Sequence, residues 1–134
     1  MSSATQMLRA HPGAADIDEE LLAAAIDAAT DCAQVCTACA DACLAEKSVG
    51  DLVACIRTDL DCADICAVTA RVLTRRTRPD DEVVRAVLRA CIDACRACGG
   101  ECAQHAEMHE HCRLCAEACG RCEEACRELA ATLG

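Results

Sequence analysis

The sequence predicts an all-α protein, an antiparallel up-down-up-down four-helix bundle with a cysteine-lined core. The first observation is that the 16 cysteines fall into runs in which they recur at intervals of three, four or, once, seven residues. On an α-helix this spacing places them on one face. The second is that short segments with Pro, Gly or charged residues separate the runs, and short loops join antiparallel neighbours in bundles. All the cysteine faces are therefore expected to point into one shared core.

The first long helix is predicted at about 17–46. Asp16 or Asp18 can cap it, because an acidic side chain satisfies the free N–H groups of the first turn. Residues 1–16 are expected to form an N-terminal arm or a short helix that ends before a Pro-Gly pair, and residues 17–134 to form the bundle. The cysteines of this helix are Cys32, Cys36, Cys39 and Cys43.

The second long helix is predicted at about 51–76, with Asp51 as its N-terminal cap. Asp59 occupies the position where the spacing calls for a fourth cysteine. We interpret it as a functional residue that faces the histidines, because the helix face that it shares is otherwise lined with thiols. The cysteines of this helix are Cys55, Cys62 and Cys66.

The third long helix is predicted at about 81–106, with Asp80 as its N-terminal cap. Gly99 and Gly100 each weaken a helix by about 1 kcal/mol relative to Ala. The helix is still expected to continue through them, because His105 keeps the spacing of the cysteines. The cysteines of this helix are Cys91, Cys95, Cys98 and Cys102.

The fourth long helix is predicted at about 110–132, after a turn near 107–110. Its cysteines recur at intervals of three and four residues, which again places them on one helix face. Its cysteines are Cys112, Cys115, Cys119, Cys122 and Cys126.

Antiparallel order gives the two ends of the bundle different chemistry. One end, the histidine end, collects candidate ligands, namely Cys43, Cys55, Asp59, His105, His109 and Cys112, with Met108 and His111 close by. The other, the leucine end, collects Leu22, Leu73, Val84, Leu88, Leu129 and Leu133. Metal ions are therefore expected to pass only through the histidine end.

The composition restricts the classes of function. With no Phe, Tyr or Trp and a net charge of −10, the chain offers no basic patch with aromatic residues, so nucleic acid is not an expected partner. No apolar run predicts a signal peptide or a membrane span, which favours a cytoplasmic protein with no membrane partner. In that reducing compartment, dense cysteine indicates metal binding more than disulfides. No cysteine stands apart with a histidine and a carboxylate as a nucleophile would, so no enzymatic activity is expected.

Charge and softness favour Cu(I) as the metal. Thiolates are soft ligands that select Cu(I), Zn(II) or iron–sulfur clusters. Four Zn(II) ions among 16 thiolates would leave a charge of about −8 in the core, whereas about one Cu(I) per thiolate leaves it near neutral. A multi-zinc storage protein and an iron–sulfur electron-transfer or redox protein remain the alternatives, although iron–sulfur ligands usually lie in loops with other spacings.

Four side chains besides the thiols are candidate metal ligands. His105 and His109 continue the spacing of the cysteines along their helix faces. This favours a role as metal ligands over a role as polar residues that face solvent. His111 is out of phase but lies next to a cysteine, and Asp59 interrupts a stripe.

The cysteine seam and the histidine-bearing segment resemble the bacterial cytosolic copper storage proteins, a family of Cys-rich four-helix bundles. The resemblance covers about 17–132, and the segment MLRAHP near the start is similar to the family's N-terminal region. It implies copper homeostasis by storage of many Cu(I) ions in multinuclear thiolate clusters, a histidine-lined opening and a homotetramer. A copper chaperone is a candidate partner for copper exchange. The seam comprises Cys32–Cys36, Cys39–Cys43, Cys62–Cys66, Cys91–Cys95, Cys98–Cys102, Cys115–Cys119 and Cys122–Cys126.

Overall fold

The computed structural model describes residues 1–13 and 16–133. These residues form a short N-terminal helix, four long helices and a short 3₁₀ helix. The α-helices are α1 (Ser3–Ala10), α2 (Glu19–Ala45), α3 (Val53–Thr74), α4 (Asp81–Ala103) and α5 (Glu110–Ala131), and the 3₁₀ helix is Val49–Leu52.

The four long helices stand at the corners of one bundle. α2 packs against α3 and α5, and α4 packs against the same two helices. Each helix follows its predecessor after a short connection, so neighbouring helices run in opposite directions. The predicted up-down-up-down bundle with cysteines in its core is confirmed.

Acidic caps fix the beginnings of α2 and α4. The Leu21 N–H donates to Asp18 Oδ1 at 3.0 Å. At α4, the Glu82 and Val83 N–H groups both donate to Asp80 Oδ1. A cap of this kind stabilises a helix by about 1 kcal/mol, because it satisfies N–H groups that have no partner within the helix.

The prediction that Asp51 caps the next helix is wrong. Asp51 lies inside the 3₁₀ helix, and α3 begins at Val53. Leu52 is its N-cap residue and supplies no side-chain hydrogen bond. The preceding 3₁₀ turn leads the chain directly into α3, since 3₁₀ turns commonly precede α-helices.

α4 continues through Gly99 and Gly100, as predicted, but it ends at Ala103 and not at residue 106. The His105 N–H donates to the Cys102 carbonyl at 3.0 Å, a bond three residues back that tightens the chain into a turn. His105 therefore does not continue the helical face that the cysteines share.

Small side chains fill the core, and a few leucines close its ends. Every cysteine is at most 1% exposed. Leu133 is only partly buried, whereas Leu52, in the 3₁₀ helix at the histidine end, is fully buried although the sequence analysis did not place it in the core. The leucine end is closed by the buried residues Leu22, Leu73, Val84, Leu88 and Leu129.

α2 is long and apolar enough to cross a membrane by length and composition alone, which the sequence analysis did not anticipate. In the fold, 39% of the most apolar 18-residue stretch of α2 is buried. The alanines and cysteines that raise its hydropathy pack against α3 and α5. A core helix of a bundle meets the same criteria as a membrane span, so composition alone does not distinguish the two.

Candidate metal centre

The cysteines form one ladder of thiols along the core. All 16 are free and buried. Neighbouring sulfurs lie between 3.4 Å apart, as in Cys55 and Cys102, and 4.0 Å apart, as in Cys39 and Cys112. These distances exceed the S–S bond of about 2.05 Å in a disulfide. A metal ion with bonds of about 2.3 Å, as in zinc thiolates, can contact both sulfurs of such a pair.

Sulfurs from different helices meet at every level of the ladder. Cys66 of α3 lies 3.7 Å from Cys91 and from Cys95 of α4, and 4.0 Å from Cys122 of α5. The last step toward the leucine end is Cys126, whose sulfur is 3.8 Å from that of Cys91. A metal bound at any level therefore joins helices that are distant in the sequence.

Several groups of four have their ligand atoms within 4.8 Å of one another. These groups share members: of the three given next, Cys32, Cys36 and Cys119 each belong to two. Three of the groups are Cys32, Cys66, Cys95 and Cys122; Cys32, Cys36, Cys62 and Cys119; and Cys36, Cys98, Cys115 and Cys119.

Asp59 lies inside the ladder. Its Oδ1 is 3.0 Å from Cys98 Sγ and 3.1 Å from Cys115 Sγ. Cys102 Sγ is 3.4 Å from the same oxygen, and Cys55 Sγ is 3.9 Å from Oδ2. Among the residues that the structure describes, no hydrogen bond joins Asp59 to a histidine. The expectation that it faces the histidines stays a prediction. The carboxyl group of Asp59 lies within 4.8 Å of the sulfurs of Cys39, Cys102 and Cys115.

The environment of Asp59 favours its protonated form. Burial, followed by the hydrogen bond with Cys98, raises the pKa of Asp59 to about 12. A carboxylate surrounded by thiols with no cation nearby would carry an uncompensated charge in the core. At neutral pH the metal-free ladder therefore contains a neutral carboxylic acid.

His111 is the histidine that reaches the thiols. Its Nδ1 lies 3.4 Å from Cys39 Sγ and 3.6 Å from Cys112 Sγ. Together with Cys43, these residues form a group of four whose ligand atoms lie within 4.8 Å of one another. His111 is the second residue of α5, and from there its ring spans the gap to α2.

His105 and His109 lie at the same end, but the structure does not bring them into hydrogen-bonding contact with thiols within the described ranges. His105 Nε2 is 3.3 Å from Glu101 Oε1. His109 is the N-cap residue of α5, and its Nδ1 is 3.0 Å from Glu46 Oε2. Met108 is 69% exposed and points away from the core.

Glu46 is a residue of this site that the sequence analysis missed. Its Oε2 is 2.8 Å from His111 Nε2 as well as 3.0 Å from His109 Nδ1. A signal was present, because Glu46 follows Cys43 by three residues and so continues the stripe of α2. Ser48 lies in the connection between α2 and the 3₁₀ helix, and its Oγ is 3.5 Å from His109 Nε2.

Hydrogen bonds and burial shift the protonation of the histidine end in opposite directions. Burial raises the pKa of Cys43 and of Cys112. Hydrogen bonding with Cys102 lowers the pKa of Cys39 to about 6. Burial disfavours charge on His111, but its hydrogen bonds with Cys39 and Glu46 leave the pKa of His111 raised. Of the three thiols beside His111, Cys39 therefore loses its proton most easily.

A groove on the surface leads to the group formed by Cys39, Cys43, Cys112 and His111. It lies between α2 and α5 and has a volume of about 450 Å³. Cys39 and His111 line it together with Leu114, and the ion pair of Arg121 and Asp31 lies at its rim. The histidine end is thus accessible from the side of the bundle.

The donor set determines which ions the core can hold. Within residues 1–13 and 16–133, soft sulfur donors predominate, with the Asp59 carboxyl group inside the ladder and imidazole nitrogen at its histidine end. Structural zinc sites are separate tetrahedra that close around one ion. Here one sulfur belongs to several overlapping groups, which suits soft ions that share bridging thiolates.

A protein-family model described as "Csp: Copper storage protein" matches residues 18–131 of the chain. The matched range contains all four long helices and every residue of the ladder.

Individual proteins resemble the chain over most of its length. It is 40% identical over 113 residues to the "Uncharacterized cysteine-rich protein YhjQ" of Bacillus subtilis (strain 168), which covers 84% of this chain and 99% of the relative. The copper storage protein Ccsp from Streptomyces lividans, loaded with 10 copper equivalents, is 57% identical with a TM-score of 0.94, over 96% of this chain and 98% of that one. A cytosolic copper storage protein from Streptomyces lividans with five coppers is 63% identical with a TM-score of 0.85, over 86% and 96%.

Proposed function

Because the chain belongs to the copper storage protein family, we propose that its cysteine core stores copper as Cu(I) in multinuclear thiolate clusters. Membership of this family makes the protein a metal store and not an enzyme, and copper is its cargo. The single observation that carries the proposal is the overlap between neighbouring groups of thiols. A sulfur shared by two groups can bridge two ions, and a ladder of such bridges holds a chain of clusters.

The oxidation state follows from charge. Each thiol loses its proton when a metal binds. A singly charged ion for each of the 16 thiolates would leave the buried core near neutral. Divalent ions in groups of four would leave a large negative charge away from water, which is costly.

The ligands that we propose are the 16 cysteines, with His111, His105, His109 and Asp59 as additional donors or contacts. His111 has the strongest support, since its Nδ1 lies within 3.6 Å of two sulfurs. His105 and His109 would act earlier, as ions approach the histidine end. We assign residues 17–134 to the copper-binding bundle and residues 1–16 to an N-terminal segment outside it.

The setting of the protein is part of the proposal. A cytosolic location is supported by the relative from Streptomyces lividans that is described as cytosolic. The proposal includes a homotetramer, and the exposed apolar groove between α3 and α4, lined by Ile65, Val68 and Val87, supports contact between copies of the chain. Copper would be exchanged with a copper chaperone at the histidine end, where the imidazoles lie.

Anaerobic titration of the reduced protein with Cu(I), in competition with a chromophoric chelator, tests the proposed function. We expect tight uptake that ends at about one ion per thiol, because charge balance sets the limit. The loaded protein should be colourless, since Cu(I) has a filled d shell.

Three results would contradict the proposal. One is saturation at about four ions, which matches isolated sites with four thiolates each. Another is tighter retention of Zn(II) than of Cu(I) when both are offered, which would favour a zinc store. The third is a brown iron-containing protein after reconstitution with iron and sulfide, with no uptake of copper, which would favour the iron–sulfur alternative.

A further inference from the structure

Glu46 holds two histidine rings at the end of the ladder. It is the C-cap residue of α2, and its backbone N–H donates to the Cys43 carbonyl at 3.2 Å. Its Oε2 lies between His111 Nε2, at 2.8 Å, and His109 Nδ1, at 3.0 Å. The two rings stack with centroids 5.4 Å apart. One carboxylate oxygen thus contacts a different type of ring nitrogen on each histidine.

This arrangement determines which nitrogens carry protons. The Glu46 side chain is 34% exposed, so at neutral pH it is an ordinary carboxylate that only accepts hydrogen bonds. Nε2–H of His111 and Nδ1–H of His109 must therefore donate to it. A neutral imidazole has one N–H, which leaves the lone pair on His111 Nδ1 and on His109 Nε2.

The two free nitrogens face different surroundings. His111 Nδ1 is next to the sulfurs of Cys39 and Cys112. His109 Nε2 is next to Ser48, in the connection between α2 and α3. One imidazole therefore offers its lone pair to the thiol ladder, and the other offers it to the connecting segment outside the ladder.

We propose that Glu46 is a positioning residue for copper uptake that holds His111 in the tautomer whose Nδ1 faces the thiols and His109 in the opposite one. His109 would receive an ion at Nε2, and His111 would pass it at Nδ1 to Cys39 and Cys112. A carboxylate behind a metal-binding imidazole fixes the ring's orientation and raises its basicity, and its loss typically weakens such a site by about 10-fold to 100-fold. The inference rests on the proposed function, because it assumes that copper reaches the thiols from this end.

Glu46→Gln tests the inference, since glutamine keeps the shape but offers one acceptor oxygen and an NH₂ donor in place of a carboxylate. Long-range ¹⁵N–¹H NMR of the reduced, metal-free protein, at a pH where imidazole is neutral, reports the tautomer of each ring. Stopped-flow mixing with less than one equivalent of Cu(I) reports the uptake rate. Asp41→Asn is the matched control, because it removes one negative charge from an exposed residue of the same helix.

We expect Glu46→Gln to give mixed tautomers at His109 and His111 and to slow uptake by about tenfold or more, with the final copper capacity and the helical circular dichroism unchanged. Asp41→Asn should match the wild type in all four measurements. Wild-type tautomers or a wild-type rate in Glu46→Gln, or an equal loss of rate in Asp41→Asn, would overturn the inference. Failure of the wild type itself to take up Cu(I) would instead overturn the proposed function.

Discussion

Asp59 changes the proton balance of the metal-free protein. Burial and its thiol neighbours raise the pKa of Asp59 to about 12 in the fold, whereas an aspartic acid in an unfolded chain ionises near pH ~3.9. Between these two pH values the folded protein binds one more proton than the unfolded chain. The contribution of Asp59 to stability is therefore fully present below the lower value and is lost as the pH rises toward the upper one.

Replacing Asp59 with Asn should remove this pH dependence. Relative to the variant, the free energy of unfolding of the wild type should fall by about 1.4 kcal/mol per pH unit between about pH 5 and pH 7. Denaturant unfolding of the reduced, metal-free proteins at several pH values measures it. Asp61→Asn, at an exposed acid of the same helix, should run parallel to the wild type. Parallel curves for wild type and Asp59→Asn would contradict the assigned protonation.

At the level of single residues, periodicity predicted the ladder but not its histidine end. The cysteines and Asp59 lie on regular helices, where position in the sequence determines the face. Between Ala103 and Glu110 the chain leaves the helix, so the phase of His105 no longer indicates where its ring lies. His111 was out of phase and yet reaches the thiols, because a long side chain at the start of α5 can extend across to α2.

At the level of secondary-structure elements, α4 and α5 approach each other closely at Gly99. A Cβ atom built on Gly99 would lie 3.2 Å from Cys119 Cβ, whereas one on Gly100 would meet nothing within 4 Å. The third long helix was predicted to pass through both glycines, and it does. The reason for a glycine at position 99 is visible only in three dimensions, since the neighbour belongs to another helix.

The two glycines give a matched pair of substitutions. Gly100→Ala should raise the free energy of unfolding by about 1 kcal/mol, because alanine loses less backbone entropy in a helix and finds open space there. Gly99→Ala should gain less or lose stability, since Cys119 must shift to accommodate the methyl group. Denaturant unfolding of both reduced, metal-free variants makes the comparison. An equal gain at the two positions would show that the helices are not in close contact at Gly99.

At the level of the whole molecule, the exterior and the core play different electrostatic roles. The net charge of −10 lies on residues outside the ladder, apart from Asp59, and attracts cations to the surface. α2 carries five acidic residues and no basic one. Inside, the thiols are shielded from water, so charge must be balanced as each ion binds. The sequence alone allows this argument, because it needs only the count of cysteines and their shared face.

Counting protons during copper uptake tests the central claim most directly. In an unbuffered anaerobic titration at constant pH, each Cu(I) that enters the ladder should release close to one proton, up to about one ion per thiol. The core then stays near neutral throughout. Release of about two protons per bound ion, with saturation at about half as many ions, would show that each ion takes a separate pair of thiolates, and it would contradict a ladder of shared, charge-balanced sulfurs.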